Sequence, residues 1–291
     1  MATLKALTAV DRWTLAYTAV ASVALALHWP VRTPAAILLP FAHVGLVLLV
    51  LGAPRARRAG AVGQFLGALY PVAIVTLLYS EIGLINAAAG RSFDSTIQAW
   101  EAQLFGLQPS REWIRACPWP WLSYPLHLGY LSYYAIVAVP PLALWFSGRR
   151  QATHRLVLLV AVTFYVSYAV FLALPVAGPR YTFPLAVNAA TRIPPAAFAQ
   201  ELLNAGAAWG TAFPSSHVAV ALVSSLRAAR SWSALGWVFV PLAFLLAIGT
   251  VYGQFHYALD ALVGAGLAAV VLVYDWFHSP ATASPPEQGP R

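Results

Sequence analysis

Eight apolar runs, most of them long enough to cross a bilayer, divide this chain at short arginine-bearing breaks. The runs cover 13–29, 35–51, 62–85, 122–146, 156–174, 216–226, 234–252 and 257–277. A span needs about 17–25 such residues, so the sixth suffices only if its helix continues towards Trp232. Charged residues make up 9% of the 291, against about 25% in soluble domains. So few charges cannot cover a water-facing surface, and lipid must solvate most of the chain. The pattern predicts an all-α, polytopic membrane helix bundle of about eight transmembrane helices. Pro40, Pro71, Pro140 and Pro141 inside the runs predict kinks, which embedded helices tolerate when neighbours satisfy the backbone. The expected divisions are two N-terminal spans over 1–60, a functional transmembrane unit over 61–278, and a proline-rich, disordered tail over 279–291. Lys5 and Arg12 ahead of an apolar run imitate a signal peptide. The run ends in His28-Trp29-Pro30 without a clear small-residue cleavage site and reads as a retained first span.

The formal net charge is +8, and where it sits matters more than its size. Arg55, Arg57 and Arg58 follow the second run, Arg149, Arg150 and Arg155 the fourth, and Arg227 and Arg230 the sixth. With eight spans these loops share one side. Arginine-rich loops stay cytoplasmic, which predicts a multi-pass cell-membrane protein with both termini inside. The opposite, extracytoplasmic side receives Arg32, the long connections 90–121 and 175–215, and the turn 252–256. Within 90–121, Ile97, Trp100, Leu104 and Leu107 recur at helical spacing and predict an amphipathic helix in the interface. No basic patch stands on a soluble domain, which excludes nucleic acid as a partner. Cys117 is the only cysteine, which excludes an intrachain disulfide and a cysteine metal site.

Only nine acidic residues are present, and two of them, Glu81 and Asp260, fall inside or at the mouth of apolar runs. Ionisable groups there are expensive and mark function or pairing. His256 and Asp260 stand four apart, on one helix face. The carboxylate can engage one imidazole nitrogen and leave the other as a base or nucleophile. A second cluster, Phe213-Pro214-Ser215-Ser216-His217, opens the sixth run, where cap residues and free N–H groups favour an anion. Arg180, in Gly178-Pro179-Arg180 after the fifth run, suits phosphate binding. The predicted topology brings these three stretches to the same, outer side. Glu81 is expected either to line a cavity or to pair with a buried tyrosine or arginine. His28, His43, His127, His154 and His278 lack partner motifs and read as structural.

Pro214-Ser215-Ser216-His217 followed by His256-Tyr257-x-x-Asp260 resembles the type-2 phosphatidic acid phosphatase superfamily, with its Pro-Ser-x-His and later His-x-x-x-Asp motifs. Gly178-Pro179-Arg180 and Trp100-Glu101-x-x-Leu104-Phe105-Gly106-x-x-Pro109 are similar to its inositol-phosphotransferase-like branch, which includes inositol phosphorylceramide synthase. The resemblance implies that His256 takes the phosphoryl group as a phosphohistidine, Asp260 orients and activates it, and His217 protonates the leaving oxygen. It further implies that Arg180, Ser215 and Ser216 cradle the phosphate, with no metal or cofactor. Most members carry an arginine six residues before the second histidine, where this chain has Thr250. The family's usual lysine and Arg-Pro pair is also reduced here to Arg180. The site is therefore short of positive charge for a dianion. A diester or diphosphate substrate, or help from Arg192 or Arg91, would answer the deficit.

Three functions follow as expectations. A lipid phosphatase or diphosphatase would let water resolve the phosphohistidine. A head-group phosphotransferase would let an alcohol such as inositol do so, after the same first half-reaction. A proton-coupled transporter would use Asp260 and the histidines as a proton path.

Overall fold

A computed structural model describes residues 5–28 and 34–278. The expectations for Arg32 and for the tail 279–291 lie outside these residues. Among the described residues thirteen helices follow one another: α1 (Ala9–Leu27), α2 (Pro34–Ala56), α3 (Ala61–Ala89), α4 (Asp94–Phe105), α5 (Pro109–Ala116), α6 (Pro120–Leu131), α7 (Tyr133–Phe146), α8 (Arg150–Ala173), α9 (Pro179–Thr182), α10 (Pro194–Gly206), α11 (Ser216–Ser231), α12 (Ser233–Tyr252) and α13 (Ala258–His278). Among the described residues the only β-pairing is an isolated parallel bridge between Val176 and Thr211. The chain is an all-α membrane bundle.

Among the described residues five helices are long and apolar enough to cross a membrane (in α2, α3, α8, α12 and α13), and a sixth span forms if α6 and α7 are taken together. The eight runs read from sequence add α1 and α11 to these. Asp11 and Arg12 lower the apolarity of α1. The 16 residues of α11 reach only about 24 Å at 1.5 Å per residue. As expected, α11 runs past Leu226 to stop against Trp232. It is also the centre of the bundle. Residues 218–225 are buried on every side, against α7, α8, α12 and α13. A helix apolar all round belongs in a core. Its Ala, Val and Ser side chains let neighbouring backbones approach, the packing mode that works between helices in lipid. By contrast α2 turns Ile37, Leu38, Phe41, Val44 and Leu48 outward, as a lipid-facing helix should.

The sharpest feature is a 46° bend between α6 and α7. It falls at Ser132, not at Pro140 or Pro141. The Ser132 hydroxyl donates to the Gly129 carbonyl at 2.6 Å, an alternative to regular helix bonding. Connection 90–121 holds two helices, α4 and α5, rather than one. Gly106, in the left-handed region at φ 71°, ends α4. The helix α4 is amphipathic as expected, with Trp100 and Leu104 exposed, but Ile97 is buried in the protein together with Asp94 and Glu101.

Two ionic clamps tie the bundle. Asp275 of α13 meets Arg155 of α8 at 2.5 Å, with Arg227 at 3.1 Å and Arg230 at 3.7 Å from α11. Asp11 of α1 meets Arg57 at 2.5 Å and accepts from the Tyr70 hydroxyl at 2.6 Å. Among the described residues Glu81 pairs with neither a tyrosine nor an arginine. One of its oxygens lies 2.8 Å from Nε2 of His43, whose Nδ1 is 2.8 Å from the Ser22 hydroxyl.

Candidate active site

The site forms where α11 and α13 begin. Ser215 caps α11, its hydroxyl accepting from the Val218 N–H at 3.3 Å. Its own N–H donates to the Asp260 carbonyl at 2.9 Å, which stitches the starts of the two helices together. Gly264, one turn further along α13, makes this approach possible. A Cβ there would stand 2.4 Å from the Ser215 carbonyl oxygen. Ser216 follows as the first, buried helical residue, and the first N–H groups of a helix have no partner inside it.

His256 sits in the turn joining α12 to α13. That turn is built by Thr250, whose carbonyl accepts from both Phe255 N–H (2.9 Å) and His256 N–H (3.0 Å). Buried Gln254 takes a positive φ of 61°, uncommon for a residue with a side chain and typical of constrained functional segments. Its side-chain oxygen accepts from the Ala186 N–H at 2.8 Å. Thr250 is fully buried and donates to Ala247. It supplies a backbone anchor and no charge.

The His256 ring is almost fully enclosed. Its Nδ1 lies 3.0 Å from the Ala212 carbonyl and 3.5 Å from an Asp260 oxygen. A carbonyl can only accept, so Nδ1 carries the proton and Nε2 keeps its lone pair. Nε2 faces Nδ1 of His217 at 3.4 Å. Burial pushes the His256 imidazole down to about 4, partly opposed by its bond to Ala212, so the ring is neutral at ordinary pH. The bend at Ser132 brings Tyr130 and Tyr133 to His217, at ring separations of 5.8 and 4.3 Å. Asp260 is buried, with one oxygen accepting the Tyr257 N–H at 2.9 Å and the other unpartnered.

Arg180 stands at the rim. One guanidinium nitrogen donates to Asn204 of α10 at 2.6 Å, and the group lies over the Tyr181 ring. Its charge reaches Tyr130, beside His217, but makes no hydrogen bond to either histidine. Arg91 is exposed, 3.4 Å from the Ala173 carbonyl, and Arg192 is exposed. Neither is paired with a group of the site.

Asp94 belongs to the site's framework and was not singled out in the sequence. Its carboxylate accepts from the Ala177 and Gly178 N–H groups at 2.8 Å each, and from the Tyr257 hydroxyl at 2.9 Å. It thereby fixes the Gly178-Pro179-Arg180 loop to the turn holding His256. Gly178 has φ 98°, and a Cβ there would meet Ala212 at 3.1 Å. Glu101 was read only as part of a motif, yet it is fully buried and accepts from the Ala258 N–H at the start of α13. Among the described residues, no group of three or more His, Cys, Asp or Glu side chains is arranged to hold a metal.

The chain is 29% identical over 124 residues to a PA-phosphatase related-family protein of Dictyostelium discoideum, a match covering 40% of this chain and 22% of that protein. The chain thus spans well under half the length of that relative. No solved structure matches the chain. The family model of the PAP2 superfamily matches residues 95–274, a stretch that begins in α4 and includes Arg180, both histidines and Asp260. With more than half of its length matched, this chain belongs to the PAP2 superfamily.

Proposed function

We propose that the protein is a membrane-embedded lipid phosphatase or diphosphatase working through a phosphohistidine on His256. The observation that carries this reading is the disposition of His256. A carbonyl and a carboxylate hold Nδ1, and the free Nε2 points at His217. Nε2 attacks phosphorus, the bond from phosphorus to the lipid oxygen breaks, and His217 gives that oxygen a proton. Asp260, 3.5 Å from Nδ1, offsets the positive charge that the ring gains on phosphorylation. Water then attacks the phosphohistidine, returning a proton to His217 and releasing phosphate. Arg180, the Ser216 and His217 N–H groups and the start of α11 hold the phosphate oxygens, while Ser215 shapes that helix start as its cap.

The lipid tail lies in the bilayer and the phosphate at the interface. Arg227, Arg230 and Asp275 lie at the far ends of the helices whose near ends carry the histidines, which by the positive-inside rule supports a site on the extracytoplasmic face. Head-group phosphotransfer is the second reading. Among the described residues no guanidinium is hydrogen-bonded to either histidine, which favours a substrate less charged than a phosphomonoester, such as a diester head group.

The test is release of inorganic phosphate by the detergent-purified chain from a panel of lipid mono- and diphosphates. His256→Ala should lower turnover at least about 10³-fold. Unchanged turnover would remove the reading. Label passing from donor lipid to an added alcohol, without phosphate release, would select the second.

A further inference from the structure

Glu101 is a buried carboxyl placed against the catalytic turn with only part of its bonding capacity used. It comes from α4, which packs on α13. One oxygen accepts the Ala258 N–H at 2.5 Å, midway in sequence between His256 and Asp260. The other oxygen is buried without a partner, as is the second oxygen of Asp260. Two carboxyls therefore share the start of α13, Asp260 on the Tyr257 N–H and Glu101 on the Ala258 N–H. Among the described residues, no arginine or lysine pairs with either one. The other titratable groups of this neighbourhood are His256 in the turn, His217 on α11 at 3.4 Å from its Nε2, Tyr257 and, on α4 itself, Asp94. Asp94 is committed to the Gly178 loop and Tyr257.

Two adjacent buried carboxylates without a cation cannot both stay ionised cheaply, so one of them keeps a proton. Asp260 faces the imidazole, whose phosphorylation creates positive charge, and is the member that the chemistry needs charged. We propose that Glu101 is the proton-bearing partner, a positioning residue that pins the first turn of α13 while leaving the single negative charge on Asp260. This assignment extends the phosphohistidine reading. Burial first, and the charge of Asp260 in addition, push the Glu101 carboxyl up to about 7, against the opposing backbone hydrogen bonds. Ionisation above that pH adds a second negative charge beside the phosphate site. It repels the substrate and draws positive charge towards His256. Activity should therefore fall on the alkaline side as Glu101 loses its proton.

Two measurements on the full chain in lipid nanodiscs test this. Infrared difference spectra between wild type and Glu101→Gln should show a protonated carboxyl band at about pH 6 that is gone by about pH 8–9. The pH–rate profile of Glu101→Gln, a permanently neutral isostere, should have its alkaline limb moved up by at least about one unit. A purely structural cap would lower the rate at every pH and leave the limb in place. Absence of the band in wild type at about pH 6, or superimposable profile shapes, would overturn the proposal. The infrared arm does not depend on turnover. If His256→Ala stays active while the band titrates, the phosphohistidine reading falls and the proton on Glu101 stands.

Discussion

The two ends of α11 and α13 handle buried carboxylates in opposite ways. At the far end, Asp275 is surrounded by Arg155, Arg227 and Arg230, the nearest at 2.5 Å. At the near end, Asp260, Glu101 and Asp94 are held by backbone N–H groups and a tyrosine, and none is paired with an arginine among the described residues. The first arrangement is a fastener. Each charge is answered by its opposite, and removing one partner leaves the others buried and uncompensated. The second keeps its charges underbalanced. Backbone dipoles tolerate a carboxylate without neutralising it, so its field remains available to the imidazole beside it. On the proposed reading, residues of the same type serve stability at one end of a helix and chemistry at the other.

Substitutions at the two ends should separate these roles. Asp260→Asn keeps the side chain's shape and an acceptor for the Tyr257 N–H but removes the charge behind His256. Turnover should drop about 10²–10⁴-fold with little change in unfolding midpoint, measured by phosphate release and thermal unfolding of the same preparation. Asp275→Ala should do the reverse. Loss of the carboxylate shared by three helices should destabilise by about 3–5 kcal/mol, read from denaturant unfolding in mixed micelles, with near-normal turnover per folded molecule. If Asp275→Ala lost turnover at full stability, the contrast between the ends would fail.

A smaller effect sharpens the account on the acid side. Burial lowers His256 to about 4, so its imidazole stays neutral down to that pH and is protonated below it. Protonation removes the Nε2 lone pair. The kcat/KM profile should therefore hold level through mildly acidic pH and fall about tenfold per unit below about 4. An acid limb near the ordinary histidine range of about 6.5 would mean that the ring is wetter than its enclosure indicates.

Much of the fold was legible because lipid imposes a simple rule, that every spanning segment must be apolar and helical. The span count was less so. Asp11 and Arg12 are tolerated in α1 because Asp11 finds Arg57 and Tyr70, partners invisible at sequence level. The bend at Ser132 was likewise unreadable, since serine marks no hinge by itself and the prolines nearby drew attention away. In the site, His217, His256 and Asp260 stood out because polar residues in apolar runs are rare, and they do meet. Asp94 and Glu101 did not stand out, because they lie in a connecting segment where acidic residues are ordinary. Only the packing of α4 on α13 makes them buried. Arg180 sat where the loop order predicted, but its engagement with Asn204 depends on α10, which no motif announces. Ser215 was legible as a cap, and its hydroxyl and N–H are both already used within the fold.

The central claim is that Nε2 of His256 becomes covalently bonded to phosphorus. Rapid alkaline quenching during turnover of a ³²P-labelled lipid phosphate, followed by peptide mapping, tests it most directly. The account predicts acid-labile label on the peptide carrying His256 and none in His256→Ala. Label on another residue, or steady turnover with no labelled protein at any quench time, would contradict it.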